Sequence, residues 1–218
     1  MSLLKLFRSK PKFQFNRIRC AMVDLETFDR VNTAGFYAIG ARMFTLGEYA
    51  GELRVDPDAP SHDDNQVEEC SDFIQYIAPS QTVEDARFTH DEETMRWTME
   101  KNKVEYDRAV VHGTTIVDAL QKFNKWLRYH QPECMVSNSP SFDHEILRHA
   151  FRVLELGPMR MGFRTDFDVR TVGHLRHTAG MRRYPNVGNN RLHSPLDDCT
   201  LQINGLAEFI RFIENKTA

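Results

Sequence analysis

The sequence predicts an α/β fold, with a mixed central sheet flanked by helices. Three strand-like runs come first, and short strands then alternate with amphipathic helices. The chain has 218 residues, 41% of them hydrophobic and 27% charged. That is enough to bury one sizeable core and fits a single domain.

The strand-like runs are Arg17 to Asp24, Phe36 to Phe44 and Asp72 to Ile77. Between the second and third lies a turn-rich acidic stretch from Asp56 to Asp64. Ile116, Ala119, Leu120, Phe123, Trp126 and Leu127 then fall on one helical face, with Thr114 or Thr115 available as the cap. A short strand, Cys134 to Ser137, precedes a helix expected to begin near Ser139-Pro140 and to stop before Gly157-Pro158. An extended piece, Asp166 to Thr171, leads into a short helix ending at Gly180. The last helix has the clearest start, with Ser194 as cap, Pro195 at the first position and Asp197 placed to close a capping box. Leu196, Cys199, Ile203, Leu206, Ile210 and Ile213 form its buried stripe.

Composition narrows the function classes. No apolar run approaches the ~18 residues of a membrane span, so no membrane contact is expected. The first twenty residues lack the pattern of a secretory signal. Cys20, Cys70, Cys134 and Cys199 form no CxxC pair, so neither a disulfide framework nor a structural zinc site is expected, and a reducing compartment is. The net charge of −3 opposes bulk attraction to nucleic acid, but its distribution is uneven. A basic arm (1–16) precedes the single domain (17–216), and residues 148–191 hold nine arginines and no lysine. Arginine forks match phosphate geometry, although an ordinary solvated face explains the same segment.

The chemistry concentrates in three places. Asp24 and Glu26 sit two apart at the end of the first strand and so share a face; paired carboxylates there call for a hard divalent cation. Asp91/Glu93 and Asp143/Glu145 repeat the spacing, but no strand-like run leads into them to fix them rigidly in a core. Asn138-Ser139-Pro140-Ser141-Phe142-Asp143 puts Asp143 in the first turn of a helix, where it either serves chemistry or simply complements the helix dipole. Asn102 to Asp107 mimics that pattern without a preceding strand and is set aside. His193 precedes the last helix and Asp198 lies in its first turn, so both reach one spot.

Taken in order, Asp24-x-Glu26, Asn138-x-x-x-Phe142-Asp143 and His193-x4-Asp198 resemble the DEDDh branch of the 3′–5′ exonuclease superfamily. Arg87, Thr94 to Trp97, Phe142 to Leu147 and Asp168-Val169-Arg170-Thr171 look like its RNase T-like exoribonuclease and phage exonuclease A group. The similarity runs from about residue 18 to 213; Arg96-Trp97 departs from the paired tryptophans of that group. The resemblance implies an RNase H-like (DnaQ-like) fold and two Mg²⁺ or Mn²⁺ ions held by Asp24, Glu26, Asp143 and Asp198. It implies His193 as general base, with an unperturbed pKa of about 6.5 suited to the task. Products would be nucleoside 5′-monophosphates. Thr27 and Phe28 are expected at the terminal nucleotide, where Phe28 either stacks on a base or belongs to the core; Asn138 and Arg170 complete the expected substrate contacts. RNA is favoured as partner, with an exodeoxyribonuclease as the alternative and a non-catalytic nucleic-acid-binding protein as a distant third. A cytoplasmic protein of a bacterium or phage is expected, and a homodimer is left open.

Overall fold

The structure, a computed structural model, describes residues 17–48, 71–182 and 193–217. The basic arm, the acidic segment, Cys70, Arg183 and Arg191 lie outside the described residues. Five strands form one mixed sheet in the order β3-β2-β1-β4-β5. They are β1 (Arg19–Thr27), β2 (Phe36–Thr45), β3 (Asp72–Tyr76), β4 (Cys134–Ser137) and β5 (Asp166–Asp168). β1 and β3 run antiparallel to β2, while β4 runs parallel to both β1 and β5. The helices are α1 (Ser80–Val83), α2 (Glu92–Lys101), α3 (Lys103–His112), α4 (Ile116–His130), α5 (Asp143–Val153), α6 (Val169–Thr178) and α7 (Pro195–Thr217), with a 3₁₀ turn at Phe163–Thr165. The expected α/β architecture with a mixed sheet between helices is what the chain adopts.

Alternation along β1 sorts its side chains between two cores. Ala21, Val23 and Leu25 join Leu120, Phe123 and Trp126 of α4 and Ile146 and Leu147 of α5. Cys20 and Met22 join Val172 of α6 and Cys199, Ile203 and Leu206 of α7. With a period of two, Asp24 and Glu26 continue the second face, the one covered by α7. Gly40, paired with Asp24 across the β1–β2 ladder, lets α7 come close. A Cβ there would sit 2.3 Å from the Pro195 Cβ. Arg42 of β2 clamps the same junction by forking onto Asp72 of β3 at 2.7 and 2.6 Å and donating to the Thr200 hydroxyl of α7.

Several boundaries differ from expectation. β1 continues to Thr27 because β2 pairs with it that far, so the first carboxylate pair lies inside the strand rather than at its end. A bulge near its C-terminal end pairs Glu26 with Ala38 and Thr27 with Phe36, skipping Tyr37. α5 starts at Asp143, not near Ser139, because Ser139 to Phe142 form a turn in which the Ser139 carbonyl accepts from the Phe142 and Asp143 amides. It ends at Val153, before a left-handed Glu155 with φ of 55°. The extended piece at Asp166 is only three residues long, since the Asp168 carboxylate accepts from the Arg170 amide and starts α6.

Candidate active site

The carboxylates arrive on three parts of the scaffold. Asp24 and Glu26 come from the central strand, on the face toward α7, and Asp198 comes from the first turn of α7. Ligand oxygens of Asp24, Glu26 and Asp198 lie within 4.8 Å of one another; Glu26 and Asp198 are buried and Asp24 half-buried. Asp143 approaches from another direction. β4 pairs with β1 only as far as Met22, so the rest of β1 runs on without β4 beside it. The chain turns after β4 into α5, and there the Leu25 backbone, between Asp24 and Glu26, hydrogen-bonds the Asp143 carboxyl. Burial pushes that carboxyl up to about 6, against the pull of neighbouring His144. Asp143 is outside the tight group of three but tied through the Leu25 backbone to the strand that carries Asp24 and Glu26.

His193, half-buried just ahead of α7, meets the Trp97 ring edge-to-face with centroids 4.9 Å apart. Trp97, on α2, is 41% exposed. Leu25, Glu26, Thr27, Arg30, Thr94 and Trp97 line a cleft of about 290 Å³, near the ~300 Å³ lower end of small-molecule sites. Thr27 is among the residues lining that cleft. Asn138 is half-buried in the turn between β4 and α5, and Arg170 is exposed on α6.

Phe28 is a correction. It is fully buried and stacked on Tyr37 at 4.9 Å, with Tyr106 against its edge, so its ring belongs to the core. The decoys also find their places. Asp91 caps α2 by accepting from the Thr94 amide and hydroxyl, both at 2.8 Å. Glu145 pairs with Arg148. Asn102, set aside on the sequence, lies at the site: its amide donates to Glu26 Oε2 at 2.9 Å and to the Tyr37 hydroxyl at 3.0 Å. Gln202, one turn beyond Asp198 on the same helix, donates to Asp24 Oδ1 at 3.0 Å. Its i+4 spacing from Asp198 was the only signal in the sequence; Tyr37 gave none, because a bulge carries it there.

The arginine segment divides. Arg148 forks onto Asp166 at 2.7 and 2.9 Å, beside the His144 Nδ1 that bonds the same carboxylate. Arg176 is buried and donates to the Gly205 and Arg182 carbonyls and to Glu208. Arg148 ties α5 to β5 and Arg176 ties α6 to α7, whereas Arg164, Arg170 and Arg182 are exposed.

The five-stranded mixed sheet thus carries carboxylates on its central strand and on two flanking helices. Two solved structures share the fold. The nuclease domain of 3′hExo, a DEDDh family member bound to rAMP, aligns over 91% of this chain and 93% of that one, with 12% identity and a TM-score of 0.50. Product-bound exonuclease I aligns over 92% of this chain and 44% of that one, with 12% identity and a TM-score of 0.55. No curated protein matches. The profile of the 3′-5′ exoribonuclease Rv2179c-like domain matches residues 19–210, and the chain belongs to that family. It is a 3′–5′ exoribonuclease domain.

Proposed function

We propose that Asp24, Glu26, Asp143 and Asp198 hold two divalent cations, Mg²⁺ or Mn²⁺, and that His193 takes the proton of the water attacking the terminal phosphodiester of RNA. The observation that carries this is the convergence of Asp24, Glu26 and Asp198 within 4.8 Å. Carboxylates so close repel unless a cation sits among them, and an all-oxygen donor set fits hard ions such as Mg²⁺ and Mn²⁺. Bound there, the cations would stabilise charge on both the attacking and the leaving oxygen.

The remaining work belongs to the chain's own groups. Asp24, Glu26 and Asp198 would hold one ion, and Asp143 would support the other together with Asp24. His193 is oriented by the Trp97 edge and accepts the proton, leaving a nucleoside 5′-monophosphate as product. Trp97, exposed above the cleft, takes the stacking role that Phe28 cannot fill, and Thr27 lies beside the terminal sugar. Asn138 and Arg170 approach the phosphate backbone. The free thiols of Cys20, Cys134 and Cys199 are in keeping with a cytoplasmic compartment. Among the described residues, no helix is long and apolar enough to cross a membrane.

The test is digestion of a 5′-labelled RNA oligomer with the products identified by mass. A ladder shortening from the 3′ end with nucleoside 5′-monophosphates supports the reading; internal cuts or 3′-monophosphates contradict it. Sedimentation of the same preparation decides the homodimer.

A further inference from the structure

Resting on the reading of Glu26 as a metal ligand, we infer that Asn102 and Tyr37 are positioning residues, holding one Glu26 oxygen so that the other is presented to the metal. Three contacts close a triangle. The Asn102 amide donates to Glu26 Oε2 at 2.9 Å and to the Tyr37 hydroxyl at 3.0 Å, and that hydroxyl lies 3.4 Å from the same Oε2. The Asn102 amide spends both hydrogens on these two oxygens, and the Tyr37 hydroxyl, which also hydrogen-bonds Thr98, faces the same Glu26 oxygen. Both donors are neutral, so they fix the carboxylate without supplying the cation that would neutralise it.

The backbone is arranged around this contact. The bulge skips Tyr37 in the ladder, leaving Phe36 in the core under α4 and α5 while Tyr37 and Ala38 share the small core with Phe28. A regular strand would place Tyr37 and Ala38 on opposite faces; bulges of this kind re-aim a side chain beside a site. Asn102 occupies the junction of α2 and α3 and is 3% exposed, although an amide at a helix junction ordinarily faces water. The helix that ends at Asn102 also carries Thr94 and Trp97 along the cleft. One element therefore touches the nucleotide cleft, the proposed general base and a proposed metal ligand.

The experiment measures Mn²⁺ binding by electron paramagnetic resonance, alongside the Mg²⁺ dependence of RNA hydrolysis and thermal stability. Asn102→Ala is expected to weaken Mn²⁺ binding about 10–100-fold, the usual effect of losing an outer-shell partner. Saturating Mg²⁺ should then restore kcat to within a few-fold. Should Asn102→Ala fail to fold, Tyr37→Phe keeps the ring and removes only the longer bond; a several-fold loss of Mn²⁺ affinity is expected. Folded variants whose Mn²⁺ affinity stays within twofold of the parent, whatever their Tm, overturn the inference when Glu26→Gln itself weakens binding. Unchanged binding in Glu26→Gln removes Glu26 as a ligand, and the inference with it.

Discussion

At the residue scale, two of the three DxE pairs, Asp24/Glu26 and Asp91/Glu93, make opposite predictions from the same spacing. Asp24→Asn removes charge from the centre of the acidic group, and turnover should fall by ~10³-fold or more, several kcal/mol of transition-state stabilisation. Asp91→Asn keeps an equivalent N-cap on α2, so turnover and Tm should both stay close to the parent's. Steady-state kinetics on the two variants side by side reads the contrast. His193→Ala should cost about 10²–10⁴-fold in rate with Mn²⁺ binding retained, as expected for loss of a general base. Asp143 sets a pH dependence. Its raised pKa means that the folded protein binds a proton the unfolded chain has released between the ordinary value of 3.8 and about 6. Stability in chelator therefore falls as pH rises through that window. Asp143→Asn stays neutral, so its Tm advantage over the parent should widen between pH 4.5 and 7 and shrink when Mn²⁺ is added.

At the element scale, the approach of α7 to β2 decides where Asp198 stands. Gly40→Ala would force Pro195 away, costing about 1–3 kcal/mol of overpacking strain. A shift of ~1 Å in Asp198 would add up to about 10²-fold in rate. Melting curves and kcat together should show both losses. The arginines offer a second contrast. Arg176→Ala removes the buried guanidinium that ties α6 to the Gly205 carbonyl and Glu208 of α7 and should lower stability by about 1–3 kcal/mol. Arg170→Ala, exposed on α6, should leave Tm unchanged while raising KM and lowering the salt dependence of RNA binding. Sequence could not separate these two, because both are arginines on one short helix and only packing against α7 distinguishes them. What was legible followed periodicity and helix punctuation: the strand face of Asp24 and Glu26, Asp143 at the start of α5, and Asp198 in the first turn of α7. Tyr37 and Asn102 were not legible, since a bulge and a helix junction act over distances that no local pattern encodes.

At the scale of the whole molecule, substrate choice follows from what the carboxylates have left to offer. Glu26 Oε2 is already engaged by Asn102 and Tyr37, and under the proposed function its partner oxygen would hold a cation. The backbone beside Thr27 is then the remaining group for a ribose 2′-hydroxyl. One hydrogen bond contributes about 0.5–1.5 kcal/mol, so RNA should be cut only several-fold to about tenfold faster than matched single-stranded DNA. Stacking on Trp97 is blind to the sugar. A chain beginning near Phe13 should fold and keep its activity, because the sheet starts at Arg19 and, among the described residues, the site's side chains come from Asp24 onward. The central claim, that the Asp24-centred carboxylate set hydrolyses RNA from its 3′ end with a divalent metal, is tested most directly by one digestion. Matched 5′-labelled RNA and DNA are incubated with the parent and with Asp24→Asn, in chelator, Mg²⁺ and Mn²⁺. The account predicts 3′ shortening by the parent only with metal, RNA ahead of DNA, and none by Asp24→Asn; undiminished shortening in chelator or by that variant would contradict it.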